Sequence, residues 1–285
     1  VAFSPDGHTL ATGSNDTTAR LWDISDPHHP SHLSTLTGLT NTVTSVTFSS
    51  DRRTLATASG DATVRLWDVS DPHHSTLLGT LTGHTDSVFA VAFSPDARIL
   101  ATGSNDNTAR LWGISDPRHP SPLDILTGHI DGVWSVAFSP DSHTLATGSK
   151  DSTARLWNIR DPHHPSPLNT LTGHTSTVAG VAFSPDGRTL ATASFDGTAR
   201  LWNISDLRHP RLLGVLTGHN NTVYSVAFTP DGHALATASY DHTVRLWDTD
   251  VDSVAARICS ITSPKITKSE WDQYLPGLPY QPPCP

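Results

Sequence analysis

The sequence predicts an all-β protein assembled from six copies of one small four-stranded sheet. Three observations carry this. Arg-Leu-Trp recurs at Arg20, Arg65, Arg110, Arg155, Arg200 and Arg245, each 45 residues after the last, with no insertion or deletion. Every copy holds four short apolar runs separated by turn residues, which leaves no room for a helix. The straight-chain helix formers are almost absent: one Glu, two Gln, three Lys and no Met in 285 residues.

The third copy shows the elements in order. Val88 to Phe93 is a short apolar run and reads as the first strand. It ends at Ser94-Pro95-Asp96, where proline presets φ at the second position of a turn. Ile99 to Ser104 follows, then the polar break Asn105-Asp106-Asn107, then Thr108 to Ile114, giving a second and third strand joined by a tight turn. A loop rich in Pro and His, Ser115 to Pro120, leads to a fourth strand at Leu123 to Leu126. Apolar residues on both faces of so small a sheet require cover from both sides, so the copies must stack on one another.

Composition excludes several functions. The formal net charge is -9 and Lys and Arg form no cluster, which argues against a nucleic-acid partner. No apolar run reaches the roughly 20 residues of a membrane helix, so no membrane partner is expected. Cys259 and Cys284 are too few for a disulfide scaffold and lack a second ligand at metal spacing; free thiols in a cytoplasmic protein are the expectation. The opening Val1-Ala2-Phe3 is expected to be the start of a fragment of a longer reading frame.

Gly-His recurs with the same period at Gly83-His84, Gly128-His129, Gly173-His174 and Gly218-His219, with Gly38-Leu39 at the equivalent place in the second copy. Together with the Ser-Pro-Asp turn, the Asp of the second turn and the Trp of the third strand, this resembles the WD40 repeat family over about residues 1–262. The resemblance implies a β-propeller, closed or nearly closed, of six visible blades at roughly 1–37, 38–82, 83–127, 128–172, 173–217 and 218–262, with a tail at 263–285; rings of six and of seven blades both fit the family, an upstream seventh unit is the alternative, and the period does not choose between them. It also implies a structural hydrogen-bond tetrad per blade: His84, Thr102, Asp106 and Trp112; His129, Thr147, Asp151 and Trp157; His174, Thr192, Asp196 and Trp202; His219, Thr237, Asp241 and Trp247. Leu39 removes the histidine from the second blade, so Asp61 loses its partner there and this blade is expected to be the weakest.

A His-Asp-Thr set invites a catalytic reading, but a catalytic site would not be copied into four units, each completed by a Trp. No catalytic residue and no cofactor are expected. The loop histidines His28-His29, His73-His74, His119, His163-His164 and His209 lie on different units, and they read as exposed linkers in preference to metal sites.

What varies between near-identical units points to function. The residue before the turn Asp reads Asn15, Gly60, Asn105, Lys150, Phe195 and Tyr240, and the residue after the first strand's leading Val reads Thr44, Phe89, Trp134, Ala179 and Tyr224. Under the resemblance both positions open on the top face around the central channel. Phe89, Trp134, Phe195, Tyr224 and Tyr240, with Lys150, then form a surface for a protein or peptide partner, the lysine favouring an acidic group and the aromatics supplying hot spots. Replacing Trp134 and Tyr224 by Ala is expected to abolish capture while leaving the melting temperature nearly unchanged. The competing readings are an enzyme using the channel, with Lys150 as its base, and a self-assembling structural module.

In register, Arg257 to Ile261 would be the last strand of the sixth unit, after which Ser263-Pro264 replaces Gly-His. Thr267 to Leu275 fits one short helix capped by Thr267 and Glu270 and stopped at Pro276-Gly277, whose apolar side chains would cover the outer edge of the last blade. The tail resembles the C-terminal ends of large bacterial WD40 proteins, which implies a sensor or regulatory role behind an NTPase or another effector domain.

Overall fold

The computed structural model describes residues 1–249; the predicted last strand at 257–261, the tail helix and both cysteines lie outside the described residues. Within them the chain forms six antiparallel sheets in sequence order, and each strand pairs with the one that follows it. The third sheet is typical, with strands Val88–Phe93, Ile99–Ser104, Ala109–Gly113 and Ser121–Leu126. Five sheets have four strands, and the sixth has three among the described residues, Val223–Phe228, Ala234–Ser239 and Val244–Asp248. First strands of consecutive sheets pack side by side around a common axis, while fourth strands form the exposed outer rim. This is a β-propeller, and its sheets are blades.

The turns explain why strand ends recur with so little drift. In the first turn Ser94 Oγ donates to Asp96 Oδ1 at 2.5 Å and accepts from the Ile99 amide at 3.0 Å. One position of this turn is left-handed in every blade: Gly7, Arg52, Ala97, Ser142, Gly187 and Gly232. Three blades place glycine there, where it costs nothing, and three do not. In the second turn Asp106 Oδ1 accepts from the Thr108 amide and hydroxyl at 3.0 and 2.6 Å, pinning the link between second and third strands.

The core is divided into five clusters, each lying between two blades. The first joins Ala11, Ala19, Leu21 and Leu36 of blade 1 to Leu39, Val43, Val46, Leu55 and Trp67 of blade 2. The same pairing of a forward Ala/Leu face with a receiving Val/Leu/Trp face repeats between blades 2 and 3, 3 and 4, 4 and 5, and 5 and 6. No blade has a core of its own, because both faces are apolar and each needs a neighbour. Blades 1 and 6 are not packed on each other as consecutive blades are. The described residues therefore form an open arc and not the closed or nearly closed ring that the sequence leads one to expect.

Candidate functional site

Two kinds of repeated polar or aromatic constellation lie at the top of the blades: a buried hydrogen-bond network within each blade, and a row of aromatic rings across several of them.

In blade 3 the network runs from Trp112 through Thr102 and His84 to Asp106. Trp112 Nε1 donates to Thr102 Oγ1 at 3.0 Å, Thr102 Oγ1 meets His84 Nε2 at 2.8 Å, and His84 Nδ1 meets Asp106 Oδ2 at 2.7 Å. The chemistry fixes the direction. An ionised carboxylate only accepts, so Nδ1 carries the proton and Nε2 accepts from the threonine hydroxyl. Burial pushes the His84 imidazole below its ordinary pKa, outweighing the pull of the Asp106 carboxylate, which keeps the ring neutral and this direction intact. Burial alone would raise the Asp106 carboxyl, but hydrogen bonds from Thr108 and His84 hold it low. Blades 4 to 6 repeat the bonds through His129, Thr147, Asp151 and Trp157; His174, Thr192, Asp196 and Trp202; and His219, Thr237, Asp241 and Trp247.

Blade 2 departs from this. Leu39 is buried in the cluster shared with blade 1. Asp61 is fully partnered: Thr40 donates through its amide at 3.2 Å and its hydroxyl at 2.9 Å, Thr63 through its hydroxyl at 2.5 Å, and Arg65 Nη1 through an ion pair at 3.1 Å. Burial would raise the Asp61 carboxyl, yet these donors hold it well below the ordinary range. Asp61 thus lacks its usual histidine partner, as expected, and the Arg-Leu-Trp arginine takes that place. Where histidine is present the arginine lies elsewhere, against the Gly-His glycine. A Cβ on Gly83, Gly128 or Gly173 would meet the guanidinium at 2.7, 2.8 or 2.5 Å, whereas one on Gly38 would meet nothing. Nε of Arg110, Arg155 and Arg200 is buried there without a hydrogen-bond partner. Blade 1 uses the blade 2 arrangement, with Arg20 Nη2 on Asp16 at 2.7 Å.

The aromatic row is placed by an irregularity of the first strand. Val88 pairs with Ser104 and Ala90 with Gly103, so Phe89 is the extra residue of a β-bulge. The same skip leaves Thr44, Trp134, Ala179 and Tyr224 outside the ladder. A bulge residue is released from cross-strand pairing and its side chain is aimed off the regular face. Facing it is the residue before the turn Asp, whose amide donates across to the loop ahead of the first strand: Lys150 to Gly132 O at 2.8 Å, Phe195 to Thr177 O at 2.9 Å, Tyr240 to Thr222 O at 2.9 Å.

All five aromatics named from sequence meet in one row. Ring centroids are 5.0 Å apart for Phe89 and Trp134, 5.2 Å for Trp134 and Phe195, 5.1 Å for Phe195 and Tyr224, and 6.2 Å for Tyr224 and Tyr240. The row crosses blades 3 to 6 and continues to His242, 6.0 Å from Tyr240. Sequence reasoning missed His242, although it stands alone among Thr17, Ala62, Asn107, Ser152 and Gly197 at its turn position. Tyr224 and Tyr240 are 45% and 60% exposed, while Phe89, Trp134 and Phe195 are half-buried. Trp134 touches two rings and its buried Nε1 has no hydrogen-bond partner, so its removal costs packing, and an unchanged melting temperature is no longer expected.

Lys150 is not a free cation beside the row. Its Nζ lies 3.5 Å from Asp131 Oδ1, which counters the charge that favoured an acidic ligand. The loop histidines fall into five exposed local turns, with His29, His74, His119, His164 and His209 each bonded through Nδ1 to an aspartate three residues earlier at 2.8 or 2.9 Å. Among the described residues no group of three or more His, Cys, Asp or Glu is placed to hold a metal ion. Among the described residues there is no helix long and apolar enough to cross a membrane.

Comparison with known families agrees with the geometry. The family model for the WD domain, G-beta repeat (WD40) matches residues 1–23, 30–68, 75–113, 120–158, 165–203 and 210–248. No curated protein matches the chain. Repeats of this kind generally mediate protein-protein interaction and are typically non-catalytic.

Proposed function

The chain belongs to the WD40 family, and from that premise we propose that it is a non-enzymatic scaffold that captures a protein or peptide segment on the aromatic row. The observation that carries this is the row's position: five rings in continuous contact, placed by bulge and turn positions that the fold leaves free, with Tyr224 and Tyr240 exposed at one end. Rigid aromatics supply contact area at little conformational cost, and residues of this type dominate interface energetics. With Lys150 paired to Asp131, the ligand is defined by apolar and aromatic side chains more than by charge. The wider setting we infer is a regulatory module of a larger cytoplasmic bacterial signalling protein. The resemblance of residues 263–285 to the ends of such proteins supports it.

The test is selection of a random peptide library on the intact chain, followed by binding of the enriched peptides to Tyr224→Ala/Tyr240→Ala. Both tyrosines are exposed, so the variant keeps its fold, and affinity should fall by about thirtyfold, the loss of one hot spot. Enriched peptides that bind the variant unchanged would place the interaction elsewhere on the molecule.

A further inference from the structure

The groups around the aromatic row decide which kind of chain can lie on it. Backbone pairing is closed there. The amides of Asn105, Lys150, Phe195 and Tyr240, at the second turns of blades 3 to 6, already donate to carbonyls of the loops ahead of the first strands, at 2.8 or 2.9 Å. A segment that adds itself as a strand is held by main-chain hydrogen bonds, and these four donors are taken. Charge is closed as well. Asn105 Nδ2 donates to Asp86 Oδ2 at 2.8 Å, and Lys150 is paired with Asp131. A phosphorylated or acidic segment is read by a cluster of arginines, whereas each ring of this row has another ring as its neighbour.

What stays open is narrow and stepped. The rings follow one another in single file, with the polar pairs Asn105–Asp86 and Lys150–Asp131 beside them. An amphipathic helix, roughly 10 Å across, presses its apolar face into a broader groove than this. Successive rings meet at 44°, 87°, 76° and 61°, so faces and edges alternate and leave steps between them. From Trp134 through Phe195 to Tyr224 the row spans at most roughly 10 Å, and a polyproline II helix repeats every three residues, about 9 Å. The whole row, at most roughly 21 Å from Phe89 to Tyr240, has the length of about seven residues of that helix. At its exposed end the hydroxyls of Tyr224 and Tyr240 make no hydrogen bond among the described residues. A polyproline II segment has no internal hydrogen bonds, so its carbonyls are free to accept from them.

We propose that the segment captured on the row is proline-rich and lies along it as a polyproline II helix, with a ring or another apolar side chain seated in the steps at every third position. This rests on the row being a peptide-binding surface. Proline suits each constraint in turn. It has no N–H, so it forgoes no backbone pairing on a surface whose turn amides are already committed. It carries no charge, in keeping with the paired state of Lys150. Its fixed φ leaves little conformational freedom to lose on docking. The half-buried Phe89, Trp134 and Phe195 give the segment its apolar floor, and the two tyrosine hydroxyls orient its carbonyls at one end.

The experiment offers the 285-residue chain two peptide libraries of equal length, about ten residues, one with Pro-x-x-Pro fixed at its centre and the other free of proline. Enriched peptides are titrated by fluorescence anisotropy against the chain and against Tyr224→Ala/Tyr240→Ala. Each is also remade with Ala at one fixed proline at a time, a change that leaves the fold of the protein out of the comparison. The expected result is enrichment from the Pro-x-x-Pro library, a loss of at least about tenfold for either proline replaced, and a loss of about thirtyfold in the tyrosine variant. Enrichment from the proline-free library alone, with binding lost in the variant, overturns the proline-rich segment and leaves the row as a peptide surface. Pro-x-x-Pro peptides that tolerate Ala at both fixed positions overturn it in the same way. Enriched peptides that bind the variant unchanged, or no enrichment from either library, overturn the row itself as the site and this inference with it.

Discussion

Blades 2 and 3 share their register, their Thr-Trp bond and their turn chemistry, yet they solve one electrostatic problem with different residues. Each buries an aspartate at the second turn. In blade 3 a neutral imidazole donates to it, and the Arg-Leu-Trp arginine is left with a buried, unpartnered Nε. In blade 2 leucine fills the imidazole's place, and the arginine turns onto the carboxylate instead. A buried carboxylate needs donors but is indifferent to which residue supplies them. The arginine of blades 3 to 5, packed beside the Gly-His glycine, is therefore the candidate reserve donor.

That comparison can be broken by a double-mutant cycle in blade 3. His84→Leu alone should cost about 1–2 kcal/mol, because Arg110 turns onto Asp106 as Arg65 does onto Asp61. Adding Arg110→Ala removes the reserve and should bring the total to about 3–5 kcal/mol, the cost of a buried charge left without its partner. Denaturant midpoints of the four chains measure the coupling, and simple additivity would mean that the arginine does not move. Next in size, Arg65→Ala should destabilise by about 1–3 kcal/mol by exposing the need of Asp61, whereas Arg155→Ala should cost under about 1 kcal/mol, since His129 already serves Asp151. Equal effects would erase the distinction between the blades.

A smaller effect lies at the glycines. Gly83→Ala and Gly38→Ala are both strained by positive φ, but only the first drives a Cβ against a guanidinium. It should cost about 1 kcal/mol more than the second, read from thermal midpoints. Smallest is the response to acid. Burial lowers the pKa of His84, His129 and His174 in the folded state, so the unfolded chain takes up protons first. Their contribution is fully present above pH 6.5 and is lost as pH falls from there through the folded values. Hydrogen exchange measured across this window should show blades 3 to 5 opening more readily while blade 2, with no imidazole in its network, holds steady.

The period and the turn positions were legible because each depends on residues that recur in place, and the tetrads followed from the resemblance to the WD40 family. The aromatic row was legible for the opposite reason: its positions vary while the fold's demands do not, so Phe89, Trp134, Phe195, Tyr224 and Tyr240 stood out. The exchange of Arg65 for histidine was not legible. It depends on the space left beside Gly38 and on the reach of a long side chain, and neither leaves a mark in the spacing. Lys150 misled because a lone cation reads as available until Asp131, nineteen positions earlier, is seen beside it. The open arc was hidden because a period fixes the length of a unit and says nothing of the angle between units.

The bulge in each first strand has a consequence for how such a surface changes over generations. Thr44, Phe89, Trp134, Ala179 and Tyr224 stand outside the ladder, so a substitution at one of them breaks no backbone ladder pair and shifts no register, although the Thr44 hydroxyl donates to Ala58 O and Val88 O. Inheritance can thus rewrite five letters of the face without disturbing the register of the sheets beneath, with the ring contacts of Phe89, Trp134 and Tyr224 the coupling between them. A library randomised at those five codons, and nowhere else, should yield mostly folded members with different tastes in ligand.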